Sequence, residues 1–358
     1  MNSKNYSIQA LRAIAALLVV LDHTLTQFNT YNPFDGFSGQ ILKNVEALGL
    51  VGVYIFFIIS GYIMSMTTSG KPGGFSSATK FIKKRLARIY PSYWVWLSVL
   101  VLLWFGGVAL KSHDYSFHKI VSSYLLLPFT DGASNSINPI LSQGWTLIYE
   151  MFFYLVFAIL ITLRMNDIKM IIMAFVIFLI FNKVGEHGLL SSNGLNIFFA
   201  NGFFFLFPLG MLFFKLNKKI HYISSNSAMK VFVHTLSIIS VGYLIMRKDD
   251  SFYEAAKVTS AILAFTSFYI SDIKNKILLM LGDASYSIYL THTFVVMAYG
   301  IISKSGHFSP SILLMMAIPT AFASIIFGVI AYFSIEKKLQ ETTTKLFFQK
   351  KDIKRKLI

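Results

Sequence analysis

Apolar residues run along this chain in blocks about 20 residues long, separated by short polar or basic segments. A membrane-crossing helix needs about 20 mostly apolar residues. About ten blocks meet that need: 8–26, 49–67, 91–110, 144–163, 168–184, 197–214, 229–246, 255–271, 277–302 and 310–333. The weakest is 255–271, which is short and carries Lys257 near its start. The first block opens with only Lys4 and Arg12, holds Arg12 inside its apolar run and is followed by no small-residue cleavage site. It therefore reads as a permanent helix and not as a signal peptide. The pattern predicts an all-α, polytopic membrane bundle of about ten transmembrane helices over residues 1–340, with a basic tail at 341–358. There is no internal repeat and no sign of a second soluble domain.

Composition supports this reading. Of 358 residues, 55% are hydrophobic and only 13% charged, against about 25% charged in soluble domains. An ordinary soluble globule is excluded for want of polar surface, and disorder is excluded by the same figures. The net charge of +16 first suggests nucleic acid, but long apolar blocks point instead to a basic membrane protein. The absence of cysteine excludes disulfides, thiol catalysis and cysteine-ligated metals.

Lys and Arg positions orient the bundle, because they accumulate on the cytoplasmic side. With ten alternating helices and a cytoplasmic N-terminus, 23 of the 32 basic residues fall inside. Eight fall outside: Lys43, Lys111, Lys119, Lys183, Arg247, Lys248, Lys257 and Lys304. Both termini are expected in the cytoplasm. Two loops stand out. The inner loop 68–90 carries the amphipathic basic run 80–88, ended by Tyr90-Pro91, which reads as an interfacial helix. The outer loop 111–143 is long and rich in Ser, Asn, Gly and Pro, as lids and binding segments often are.

Ionisable groups within membrane helices are costly and are functional candidates by default. They are Arg12, the Asp22-His23 pair, Glu150, Asp283 and His292. Arg12 and His23 are eleven residues apart, three turns plus about 20°, so they share one helical face roughly 16 Å apart. At about 1.5 Å per residue, His23 lies about 22 Å above the inner boundary, His292 at similar height, and Glu150 about 9 Å below the outer one. Three titratable groups from three helices thus fall in one layer. A neutral His there can serve as general base for a hydroxyl, and a carboxylate can orient it. No G-x-S-x-G, H-E-x-x-H or P-loop motif is present, so serine-nucleophile, zinc and nucleotide readings lack support. Ser60, in Ile59-Ser60-Gly61-Tyr62, has no base beside it in sequence and reads as a packing residue or a backbone hydrogen-bonder.

At these residues the chain resembles membrane acyltransferase family 3. Arg12 and His23 are similar to its R-x10-H signature, and residues 53–62 to its F-F-x-x-S-G-[FY] helix. Arg85-Leu-Ala-Arg88-Ile-Tyr-Pro91 is similar to its R-x-x-R-[IL]-x-P segment. Residues 145–154 are similar to W-[ST]-L-x-x-E-x-x-F-Y, and 281–292 to L-G-x-x-S-Y-x-[IL]-Y-L-x-H.

The resemblance implies a membrane enzyme moving an acyl group, commonly acetyl, from cytosolic acyl-CoA to a hydroxyl of a cell-surface or membrane-linked glycan. Some members carry an added hydrolase-like domain, which this chain lacks, so a stand-alone enzyme is expected. The implied roles are His23, Glu150 and Arg12 at the chemistry, and Arg12, Arg85, Arg88 and Ser60 toward acyl-CoA, with Lys83 and Lys84 near its phosphates. Trp145, Tyr154, Tyr289 and His292 face the acceptor, although Trp145 equally fits an interfacial aromatic. Glu150 is the candidate to orient His23. Neither a metal nor a tightly bound cofactor is expected, and the location is an inner or plasma membrane. The main alternative is a proton-coupled transporter or flippase, against which stand the lack of symmetry between halves and the basic cytosolic segment.

Overall fold

The computed structural model describes residues 6–32, 36–131, 136–217, 219–220, 225–246 and 251–355. Lys4, Lys218, Arg247, Lys248 and Lys356, which enter the charge balance above, lie outside these residues, as does 132–135 of the outer loop. Lipid offers no hydrogen bonds, so an apolar segment crossing it must close its own backbone bonds as a helix. The apolar segments among the described residues do so, and those residues include no strand. The helices are α1 Tyr6–Tyr31, α2 Gly36–Val45, α3 Ala47–Thr68, α4 Phe75–Phe105, α5 Phe117–Leu125, α6 Trp145–Thr162 and α7 Asp167–Glu186. They continue with α8 Asn193–Ala200, α9 Leu206–Lys215, α10 Ser227–Met246, α11 Tyr253–Tyr269, α12 Lys276–Lys304, α13 Pro310–Ala331 and α14 Lys337–Arg355.

Among the described residues, eight helices are long and apolar enough to cross a membrane. A ninth results if the pair Asn193–Ala200 and Gly202–Lys215, bent by 41°, is one span. The block 255–271 is the difference from ten: α11 has only 17 residues, about 25 Å of helix at 1.5 Å per residue.

The basic run 80–88 is not a separate interfacial helix. It is the first half of α4, which has 31 residues and passes straight through Pro91. Proline removes one backbone bond, which a membrane helix tolerates when neighbouring contacts hold it. Around Pro91, α4 is tied by side chains to the segment 111–143. Tyr90 Oη donates to the Leu125 carbonyl at 3.0 Å, Tyr93 Oη to Ser123 at 2.8 Å and Trp94 Nε1 to Tyr124 at 2.9 Å. The loop is itself folded: Ser116 caps α5, and Lys119 Nζ donates to the Phe129 carbonyl at 2.9 Å. Burial pushes the Lys119 ammonium below its ordinary value, and Asp131 partly offsets this.

The chain forms two compact units, residues 1–59 with 216–333 and residues 60–215 with 334–358. In the first, α1 lies along α12 through small residues, which let membrane helices approach closely. Ala10, Ala13 and Ala16 are fully buried, and Gly282 sits directly on the backbone carbonyl of Gln9. Ala16, Val20, Ala284 and Ile288 form a core cluster at this seam. Asn275 starts α12 by accepting from the amides of Ile277 and Leu278.

The second unit has an aromatic core. Phe153 stacks on Phe207 with centroids 4.3 Å apart, and Phe152 contacts Phe178, Phe198 and Phe199. Gly61 lies against the Phe207 carbonyl, where no side chain would fit. Leu155, Ile159, Ile172 and Ile180 point outward and are exposed, as expected of faces turned to lipid.

Candidate active site

Two polar clusters are built into these apolar units. In the first unit, α1 carries His23 and α12 carries His292. His23 Nδ1 lies 2.7 Å from His292 Nε2, with ring centroids 4.9 Å apart and planes 29° from parallel. Nδ1 of His292 is 3.1 Å from the carbonyl oxygen of Ile288, one turn back on its own helix. His292 is 0% exposed. The Tyr289 ring lies 6.1 Å from His292 and edge-on to Phe56 at 6.0 Å.

Toward the start of α1, Gln9 Nε2 donates to Asp283 Oδ1 at 2.6 Å. Arg12 Nη1 donates to Gln9 Oε1 at 3.4 Å. The amide thus stands between a cation and a carboxylate. Asp22, next to His23 in sequence, accepts from Thr26 Oγ1 at 3.0 Å.

In the second unit, Ser60 of α3 donates to Glu150 Oε1 of α6 at 2.6 Å. Tyr154, one turn beyond Glu150, donates to the same oxygen. Arg85 of α4 holds its guanidinium 5.5 Å from the Phe81 ring centroid and 5.8 Å from that of Tyr154, within cation–π range. Its Nε is buried without a hydrogen-bond partner among the described residues. Arg88 is three residues further along α4 and half-buried. Trp145, at the start of α6, meets Tyr149 edge-on at 5.9 Å and Phe203 at 5.2 Å.

The structure brings some of the side chains singled out in the sequence together and gives others different partners. His23 and His292 come together, whereas Glu150 is engaged by Ser60 and Tyr154, and the side chain on His23 Nδ1 is His292. The description of Ser60 as a residue without a base is corrected: a carboxylate lies 2.6 Å away, contributed from ninety residues further along the chain. Both nitrogens of His292 are engaged within the protein. Gln9 was missed; an amide one turn before Arg12 in an apolar block was the available signal. Among the described residues, no group of three His, Asp or Glu side chains converges as a metal site.

An all-helical bundle with several membrane-length helices defines a multi-pass membrane protein, here with a pair of histidines buried within it. A family profile described as an acyltransferase domain matches residues 5–335, so the chain belongs to that family and is a membrane acyltransferase. It is 26% identical over 302 residues to the exopolysaccharide production protein ExoZ of Rhizobium meliloti (strain 1021), covering 82% of this chain and 90% of the relative. It is also 26% identical over 322 residues to the O-acetyl transferase of Shigella phage Sf6, covering 87% of this chain and 90% of the relative. No solved structure matches.

Proposed function

We propose that this protein transfers an acyl group, acetyl as the default, from cytosolic acyl-CoA to a hydroxyl of a cell-surface or lipid-linked carbohydrate, with His23 as general base. The observation that carries the reading is the His23–His292 pair, at 2.7 Å, inside a family-matched acyltransferase. The relatives named for exopolysaccharide production and O-acetyl transfer support a carbohydrate acceptor and an acetyl donor.

In this reading the free nitrogen of His23 takes the proton of the acceptor hydroxyl as its oxygen attacks the thioester carbonyl. The tetrahedral centre collapses to an ester, the C–S bond breaks, and the proton passes from His23 to the departing CoA thiolate. Acyl-CoA, a polyanion, docks from the cytosolic side on Arg85 and Arg88, and Arg12 is a further donor contact. Arginine suits this role because its planar fork grips phosphate in two places. Ser60, beside Glu150, is a donor contact, and the acceptor contacts are Trp145, Tyr154 and Tyr289. Both termini are cytoplasmic, and the membrane is the inner or plasma membrane.

The test is acyl incorporation into glycan in isolated membranes supplied with labelled acetyl-CoA. His23→Ala loses about 10²-fold or more of the rate, the usual worth of a general base, at unchanged abundance in the membrane. Near-normal transfer by that variant overturns the mechanism.

A further inference from the structure

We propose that His292 is a positioning residue that fixes the tautomer of His23, so that Nε2 is the unprotonated nitrogen of the neutral ring. The proposal rests on the reading of His23 as general base and adds what makes it competent.

The hydrogen-bond sequence has one direction. The carbonyl oxygen of Ile288 can only accept, so Nδ1 of His292, 3.1 Å away, carries a hydrogen. A neutral imidazole carries only one, so Nε2 of His292 presents a lone pair. That lone pair faces His23 Nδ1 at 2.7 Å, which must therefore be the N–H donor. The one hydrogen of neutral His23 is then on Nδ1, and its Nε2 is a free base. A backbone carbonyl, itself fixed by the helix, thus sets the protonation pattern of a ring two residues removed from it in contact.

The choice of a neutral partner has a physical reason. A carboxylate could hold the same tautomer, but it would place a charge at a fully buried position within apolar helices, where an unpaired charge is very costly. An imidazole locked as an acceptor does the same work without charge. When His23 gains the hydroxyl proton, its Nδ1–H bond to His292 becomes charge-assisted and shorter-range attraction strengthens it. The partner therefore favours the state that forms during the reaction. The packing of α1 on α12 sets the distance: Gly282 rests on the Gln9 backbone, and Ile288 lies in the cluster with Ala16 and Val20.

The direct test is ¹⁵N magnetic resonance of histidine-labelled, full-length protein in lipid bilayers, with the His23 signals assigned by their loss in His23→Ala. The expected pattern is a protonated Nδ1 and an unprotonated Nε2 on His23; a protonated Nε2 overturns the proposal. The kinetic arm compares His292→Leu, which removes the acceptor, with His292→Gln, whose Oε1 restores one. His292→Leu lowers kcat by about 10²-fold or more with donor KM unchanged, and His292→Gln recovers at least about tenfold of that loss. Equal kcat in the two variants overturns the proposal. The His23→Ala/His292→Leu double variant is no slower than His23→Ala, because His292 acts only through His23. Activity retained in His23→Ala overturns the general-base reading itself, whatever tautomer the resonance experiment finds.

Discussion

Ser60 and Glu150 share a hydrogen bond of 2.6 Å, although they lie on different helices and ninety residues apart in the chain. The Tyr154 hydroxyl donates to the same carboxylate oxygen. Glu150 is thus a hub whose charge and whose accepting geometry can be separated. Glu150→Gln keeps an oxygen acceptor for both hydroxyls and removes the charge. It is expected to stay folded and lose transfer activity by about tenfold or more, as when a charge-assisted hydrogen bond of about 1.5–3 kcal/mol is weakened. Glu150→Leu removes the shared acceptor of two hydroxyls, at about 1–3 kcal/mol for each that is left unsatisfied, and lowers the melting temperature in detergent as well. Thermal unfolding and labelled-acetyl transfer, measured on both variants, separate the two effects. Equal melting temperatures would show that the hub is not structural.

The seam between α1 and α12 makes a second prediction. A Cβ at Gly282 would overlap the Gln9 carbonyl, while one at Gly242 of α10 would meet nothing within 4 Å. Gly282→Ala must therefore push the two helices apart or distort one of them, at about 1–3 kcal/mol for an overpacked site. Gly242→Ala removes helix-disfavouring freedom and changes stability by about 0.5–1 kcal/mol in the opposite direction. Because the histidine pair spans the same seam, Gly282→Ala lowers kcat along with stability. Melting curves of the two variants, side by side, test this; a neutral Gly282→Ala contradicts the packing described for α1 and α12.

Much of this arrangement was legible in the chain and some was not, for reasons that differ residue by residue. Arg12, His23, Glu150 and His292 stand out because a polar group in a long apolar block has no cheap explanation, and helical rise converts their positions into depths. That arithmetic set His23 and His292 in one layer, and the structure brings them into contact. It could not find the Ser60–Glu150 bond, because pairing between distant helices depends on rotation about each axis, which periodicity alone does not determine. Pro91 misled for a related reason. A proline after a basic run is a normal helix stop in water, but here α4 runs on through Pro91, and the Tyr90, Tyr93 and Trp94 side chains tie it to residues 123–125. The span 255–271 was doubtful on length, and α11 is indeed short.

Arg85 offers a test of the donor path that is independent of the base. Its guanidinium lies over the rings of Phe81 and Tyr154, an arrangement that a lysine ammonium does not reproduce with the same planar stacking. Arg85→Gln is expected to raise the KM for acetyl-CoA about tenfold, the loss of about 1.4 kcal/mol, with a smaller change in kcat. Arg85→Lys falls between the two, since it keeps the charge and loses the fork. The penalty should shrink for a donor lacking the 3′-phosphate if that group is what Arg85 holds. Steady-state kinetics with the two donors measure it, and an unchanged KM in Arg85→Gln removes this residue from the donor site.

The orientation of the bundle can be read directly because the chain has no cysteine. Any single cysteine introduced is then the sole thiol, and a membrane-impermeant maleimide added to intact cells reports which side it faces. Lys71 lies in the turn between α3 and α4, and Lys111 lies in the loop after α4; both are exposed. One crossing of α4 separates them, so they must label from opposite sides. The excess of Lys and Arg in the segments assigned inside predicts that Lys111→Cys labels in intact cells and Lys71→Cys only after permeabilisation. The same assignment sets Arg85 and Arg88, in the half of α4 nearest Lys71, on the side where acyl-CoA is made. The reverse labelling pattern would invert the bundle and leave the basic half of α4 facing away from the proposed polyanionic donor. Labelling of both residues in intact cells would mean that α4 does not cross the membrane.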